Sequence, residues 1–210
     1  MSGIPFLVTF SRNITMIIAE YVPSRTVQHL DDFLRKIVNT YARGGFVIYL
    51  DLVDMKFEKV RDKLAIVEVN TTVAREHVPE IERQIPLIKE HIRFKMSDFL
   101  CNPIAILVFI YVVYMCGIWL NAVPRKSGAV QGISPCNLVT GRTVNYNRDC
   151  RSFMGGYIEA STDTIVTNYS TPCTHRCITL GPAGNRQGSV KCFDLETCKV
   201  VVHRTISQIT

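Results

Sequence analysis

No charged residue occurs between Asp98 and Arg125. Inside that stretch Ile104–Leu120 reads IAILVFIYVVYMCGIWL, the most apolar part of the chain. Such a run has two physical homes, a protein core or a bilayer. Its strongly apolar part falls slightly short of a comfortable span, and the chain holds no second candidate. Arg125 and Lys126 on one flank are compatible with a positive-inside orientation. The segment before it has an α/β pattern, whose sheet needs a helix on its face. The sequence therefore predicts a buried core helix over 104–120, with a single-span membrane protein as the alternative.

The 210 residues suffice for one ordinary domain, or for one domain and a small module. Net charge is +6, and the basic residues are spread out, so no nucleic-acid-binding arm or localisation run stands out. The start, Met1-Ser2-Gly3-Ile4-Pro5, lacks the basic region of a secretory signal. The eight cysteines are then expected to be free thiols.

Before the apolar run the pattern is regular. Ile4–Ser11 and Thr15–Val22 are β-rich and flank Arg12-Asn13, which predicts a hairpin. Val27, Leu30, Phe33, Leu34, Ile37, Val38 and Tyr41 recur at helical spacing over Thr26–Ala42, and Gly44-Gly45 ends that helix. Phe46–Val53 is nearly all apolar and predicts a strand buried inside a sheet, with Asp54 at its end. Leu64–Val69 is a further strand. Residues 76–93 then predict an amphipathic helix, with Pro79 in its first turn and Ile81, Ile85, Ile88 and Ile92 on one face. The order strand, strand, helix, strand, strand, helix predicts an α/β domain with a mixed sheet and flanking helices.

Asn121–Arg151 is rich in Pro, Gly, Ser, Asn and Arg and reads as a linker. From Phe153 onward come short β runs, Gly156–Ala160, Thr164–Val166, Cys177–Leu180, Ser189–Phe193 and Val200–Arg204, with a turn at Gly181-Pro182-Ala183-Gly184-Asn185. They predict a small all-β, barrel-like module. The domain boundaries are thus 1–122 for the α/β core, 123–152 for the linker and 153–210 for the β module.

Asp54, at a strand exit, and Glu82, on the following helix, are the first candidate site. Two carboxylates converging at a sheet edge suit a hard divalent cation with oxygen ligands. From spacing alone the plainer reading is that Glu82 is one more solvated helix carboxylate. Lys56, Lys59, Arg61 and Lys63 follow Asp54 and could meet a phosphate backbone, although Glu58 and Asp62 are interleaved with them. Cys173, His175, Cys177, Cys192 and Cys198 are zinc-type ligands, but their spacing is no standard knuckle. The chain contains no Gly-rich phosphate loop and no nucleophile elbow.

Longer motifs add to this reading. IPFLVTFSRNITMIIAEYVPSRT, YARGGFVIYLDLVDMKFEKVRD and VNTTVAREHVPEIERQIPLIKEHIR occur in that order, followed by WLNAVP, SPCNLVTGR, ITLGPAGNRQG and FDLETCKVVVHRT. Together they resemble the Pol polyprotein of copia-type LTR retrotransposons, most closely a diatom-like lineage. The stretch covered is the second half of the integrase core and the small module after it. The resemblance implies an incomplete RNase H-like integrase core followed by the β-barrel-like module. It implies DNA as ancestral partner, no small-molecule substrate, and a nuclear or cytoplasmic location. The ancestral chemistry would be magnesium-dependent DNA strand transfer, with Asp54 and Glu82 as catalytic metal ligands.

Three departures accompany it. The family's first catalytic Asp lies on a strand before IPFLVTF, and here no Asp occurs before Asp31. Only 27 residues separate Asp54 from Glu82, fewer than in retroviral relatives. Pro86 stands where a basic residue is usual, and a proline within a helix costs about 3 kcal/mol or more. The chain is therefore expected to be catalytically inactive, a fragment of an integrase. The alternative that keeps nucleic acid as partner is a non-enzymatic binding remnant.

Overall fold

The computed structural model describes residues 3–53, 68–71, 79–99, 104–126, 128–161 and 173–208. Two compact units divide the chain. The first comprises Met1–Ile92 and Cys116–Thr143, the second Arg93–Met115 and Val144–Thr210.

The first unit opens with the expected hairpin. Strands β1 (Phe6–Phe10) and β2 (Ile17–Tyr21) are antiparallel, with Phe6 opposite Tyr21 and Phe10 opposite Ile17. Their connection is longer than the two-residue turn expected. The Thr15 N–H bonds to the Ser11 carbonyl at 2.7 Å, with Thr15 at φ 61°, so the second strand starts only at Ile17. A β-branched residue rarely adopts that left-handed geometry. Burial holds it there: Ile14, Thr15 and Met16 all point into the unit.

Helix α1 (Val27–Arg43) follows, with the Thr26 side chain accepting from the His29 N–H at its start. One face of it supplies Leu30, Phe33, Leu34, Ile37 and Tyr41 to the core, against Ile14, Met16 and Val139. Gly44 ends it, and glycine is needed there. A Cβ would lie 2.3 Å from the carbonyl oxygen of Val139.

Strands β3 (Leu50–Val53) and β4 (Glu68–Thr71) are parallel, with Leu50 opposite Glu68 and Val53 opposite Thr71. The sequence predicts one mixed sheet for this part of the chain. Among the described residues the hairpin and this pair form two separate two-stranded sheets. The run before β3 departs from the buried strand expected over Phe46–Val53. Val47 and Tyr49 are 65% and 80% exposed, whereas Phe46 and Ile48 pack on the α1 core. The run buries alternate residues, as a one-sided segment does.

Helix α2 (Pro79–Ser97) begins at the predicted proline, with Glu80 and Glu82 in its first turn, where the helix dipole favours acids. Ile88 is buried and Ile81, Ile85 and Ile92 are half-buried, while Glu82, Arg83, Lys89, Glu90 and Arg93 are exposed. The helix continues through Pro86 to Ser97, so the proline does not break it.

The apolar run forms α3 (Ile106–Ala122), with Val108, Ile110, Val112, Val113, Met115 and Cys116 buried. No helix among the described residues is long and apolar enough to cross a membrane. In the second unit Val108 and Tyr111 pack with Leu180 and Phe193. In the first unit the buried Asn121 side chain accepts from the Ile17 N–H at 2.9 Å and donates to the Ile17 carbonyl. Residues 123–152, read as a linker, carry two short helices. These are α4 (Pro135–Thr140), capped by Ser134 and Gly141, and α5 (Tyr146–Asp149), capped by Asn145.

The second unit is built on a five-stranded antiparallel sheet of order β8-β7-β6-β5-β9. The strands are β5 (Tyr157–Ser161), β6 (Thr174–Pro182), β7 (Val190–Asp194), β8 (Val200–His203) and β9 (Ile206–Gln208). Thr164–Val166, expected as a strand, lies outside the described residues. Ile158, Ala160, Cys177, Val190 and Cys192 form one cluster, and Leu180 and Phe193 join a second with Val108. The register shifts between Thr179 and Gly181. Gly181 has φ 122°, and a Cβ there would lie 2.3 Å from the Met115 sulfur, so only glycine fits.

Two substitutions test this account. Asn121→Ala strands the N–H and C=O of Ile17, which is 1% exposed, and is expected to cost about 2–5 kcal/mol of unfolding free energy. An unchanged denaturant midpoint would show that the amide contributes nothing. Pro86→Ala restores a helix donor at an exposed position and is expected to stabilise by up to about 3 kcal/mol, read as a higher Tm.

Candidate catalytic carboxylates

The carboxyl ends of parallel strands are where ligands bind in open α/β sheets, because connections diverge there and leave a crevice. Val53 closes β3, and Asp54 is the next residue in sequence. Asp54 itself, with Lys56, Lys59, Arg61 and Lys63, lies outside the described residues.

Glu82 is placed. It is exposed, in the first turn of α2. At 100° per residue it projects about a right angle from the isoleucine stripe. Its neighbours on the helix are tied down. The Glu80 carboxylate meets the Arg12 guanidinium at 2.9 Å. The backbone N–H of Glu80 itself and the Arg12 charge hold that carboxyl below its usual range, against the opposing effect of burial. One turn on, Gln84 Oε1 accepts from Arg125 Nη1 at 3.1 Å. The Arg125 guanidinium also stands 6.0 Å from the centre of the Phe10 ring, in cation–π range. Burial lowers its pKa from the ordinary arginine value.

Glu80 and Gln84 are four apart and share a helix face, so Arg12 and Arg125 grip one side of the first two turns. Glu82 faces away from that grip. Arg12, Gln84 and Arg125 were not among the residues expected at the site. The available signal was that Arg125 is the first charge after Asp98, which the sequence allowed to be read only as a helix flank.

Carboxylate oxygens are the right donors for magnesium. Among the described residues, however, no group of three or more His, Cys, Asp or Glu side chains is arranged to hold a metal ion. That applies equally to the cysteine and histidine cluster of the second unit. Cys177 and Cys192 are buried on neighbouring strands, and Cys173 and Cys198 are exposed. His175 Nδ1 faces the Glu196 carboxylate at 4.0 Å. Burial, with the nearby Asp194 and Glu196 charges, pushes the Cys177 thiol up to about 11. Burial and the neighbouring Cys177 push Cys192 up to about 12.

No protein-family model matches the chain, and no curated protein matches it. Among solved structures it is similar to the catalytic core domain of BIV integrase in crystal form I. The identity is 16% and the TM-score 0.43, over 64% of this chain and 84% of that one. A likeness at this level assigns neither a family nor an activity to this chain.

The thiols give a direct check. At pH 8 a thiol with pKa about 11 is ionised in only about one molecule in a thousand. Iodoacetamide is expected to modify Cys173 and Cys198 in the native protein and to spare Cys177 and Cys192 until denaturant is added, as mapped by peptide mass. Protection of Cys173 and Cys198 that a chelator removes would instead reveal zinc.

Proposed function

We propose that this chain derives from a retrotransposon integrase, with Asp54 and Glu82 as remnants of the metal-binding carboxylates. The observation that carries the reading is the sequence β3, Asp54, β4, α2. In sequence Asp54 directly follows the carboxyl end of β3, which pairs in parallel with β4, and α2 exposes a second acid in its first turn. The motif order from IPFLVTF to FDLETCKVVVHRT supports the same assignment. The five-stranded module then corresponds to the small barrel-like segment that follows the core in copia-type Pol polyproteins.

In this reading Asp54 and Glu82 would hold magnesium, which polarises phosphodiester oxygens when bound. The chain's own part is to fix Glu82: Arg12 and Arg125 anchor the face of α2 that turns away from it. Lys56, Lys59, Arg61 and Lys63 would contact DNA phosphates beside the carboxylates. The reading assigns Asp54 and Glu82 to two of the three carboxylates that strand transfer uses.

Manganese replaces magnesium at such sites and broadens nearby amide resonances. A 15N-labelled sample titrated with Mn²⁺ is expected to lose the signals around residues 53–55 and 80–83 first. Asp54→Asn and Glu82→Gln should each abolish that selectivity. Broadening elsewhere, or broadening that survives both substitutions, would rule the carboxylate pair out.

A further inference from the structure

His29, Asp32, Phe33 and Lys36 fall on one side of α1, at i, i+3, i+4 and i+7. The end of β2 and the segment after it, from Glu20 to Pro23, line the same cavity from the other side. The space between them is about 160 Å³. It lies wholly within the first unit.

The lining is apolar below and charged above. Phe33 and Val22 are buried and form the floor. The Lys36 ammonium meets the Glu20 carboxylate, so these two charges cancel. The His29 ring is held by its Nδ1 edge, 2.7 Å from Ser24 Oγ and 3.0 Å from Thr26 Oγ1. Its other nitrogen, Nε2, stays open as a hydrogen-bonding atom.

Asp32 is the charge left over. It is exposed and makes no ion pair among the described residues. The next cation along the helix, Arg35, is committed to Asp31 at 3.0 Å. With His29 neutral, the cavity therefore carries one carboxylate in excess.

The chemistry of this lining narrows the ligand. Phosphates and carboxylates are opposed by the excess carboxylate. A bare metal ion needs several converging ligands, and among the described residues no group of three His, Cys, Asp or Glu is arranged to hold one. A cationic head on an alkyl stem satisfies both halves. The head forms a charge-assisted hydrogen bond with a carboxylate, and the stem covers apolar surface. The volume is about half of the roughly 300 Å³ at which sites for drug-sized ligands begin, so the cavity suits one group of side-chain size.

We infer that this cavity of the first unit binds an alkyl guanidinium or ammonium group, with Asp32 on the charged head and Phe33 and Val22 beneath the stem. An arginine side chain on a protein partner and a small free cation present the same chemistry. The inference does not depend on Asp54 or Glu82, and it holds whatever the ancestry of the chain.

The test is an NMR titration of the 15N-labelled full chain. One arm uses n-butylguanidine and the other the blocked tripeptide acetyl-Gly-Arg-Gly-amide. Each is expected to give saturable amide shifts at residues 20–23 and 29–36. Tighter binding of the tripeptide assigns the site to a protein side chain, and tighter binding of butylguanidine to a free cation. Asp32→Asn should weaken binding about threefold, and Lys36→Met, which releases the Glu20 carboxylate, should tighten it about threefold. Both side chains are exposed, so the variants keep the fold, which circular dichroism checks. A merely structural role would not move the two variants in opposite directions. Three results would overturn the inference. One is the absence of saturable shifts. Another is equal binding of N-butylurea, which keeps the shape and lacks the charge. The third is weaker binding in Lys36→Met.

Discussion

Ile17 cannot reach water, yet its N–H and C=O must be paired. One side-chain amide, Asn121, does both, from a position 104 residues away in sequence. This is a peptide-like pairing supplied by a helix end in place of a strand. It fixes where α3 finishes relative to β2, and the four residues that follow then carry Arg125 to Gln84 and the Phe10 ring. The orientation of the first turns of α2, and so of Glu82, depends on this chain of contacts. A buried amide with both groups satisfied specifies one register, because a shift by one residue would leave two polar groups unpaired.

The second unit has an analogous constraint made from the absence of a side chain. At Gly181 the β6 backbone takes a φ that only glycine tolerates, and Met115 occupies the space where a Cβ would stand. The register slip between Thr179 and Gly181 leaves Leu180 buried with Phe193 and Val108.

Where hydrophobic period and local chemistry agreed, the elements were readable in the sequence. The hairpin, α1 and α2 follow from spacing, and the buried character of α3 from the short length of its apolar run and the α/β pattern before it. Phe46–Val53 was misleading because a nearly continuous apolar run does not reveal its own burial, and Val47 and Tyr49 face solvent. Residues 123–152 misled in the opposite way. Ser134, Pro135 and Gly141 read as linker composition, but they are the start and stop of α4, whose Val139 is buried against α1. Glu82 was proposed as a site residue through motif resemblance rather than through any local pattern. The grip of Arg12 and Arg125 on its helix could not be found at all, since a contact spanning 41 residues leaves no periodic trace.

Pro86 shows how these levels combine. Taken alone, a proline in the third turn of a helix argues for a break, because residue 86 has no N–H to give the carbonyl four positions back. The helix nonetheless runs on to Ser97. Upstream of the proline, Arg12 and Arg125 hold Glu80 and Gln84 to the rest of the first unit. Downstream, Ile88 is buried and half-buried Ile92 continues the stripe. With both sides fixed by tertiary contacts, a break would sacrifice those contacts to recover one backbone bond. The missing bond therefore remains as a local cost, confined to the turn that contains Glu82, and the packing sets the course of the helix.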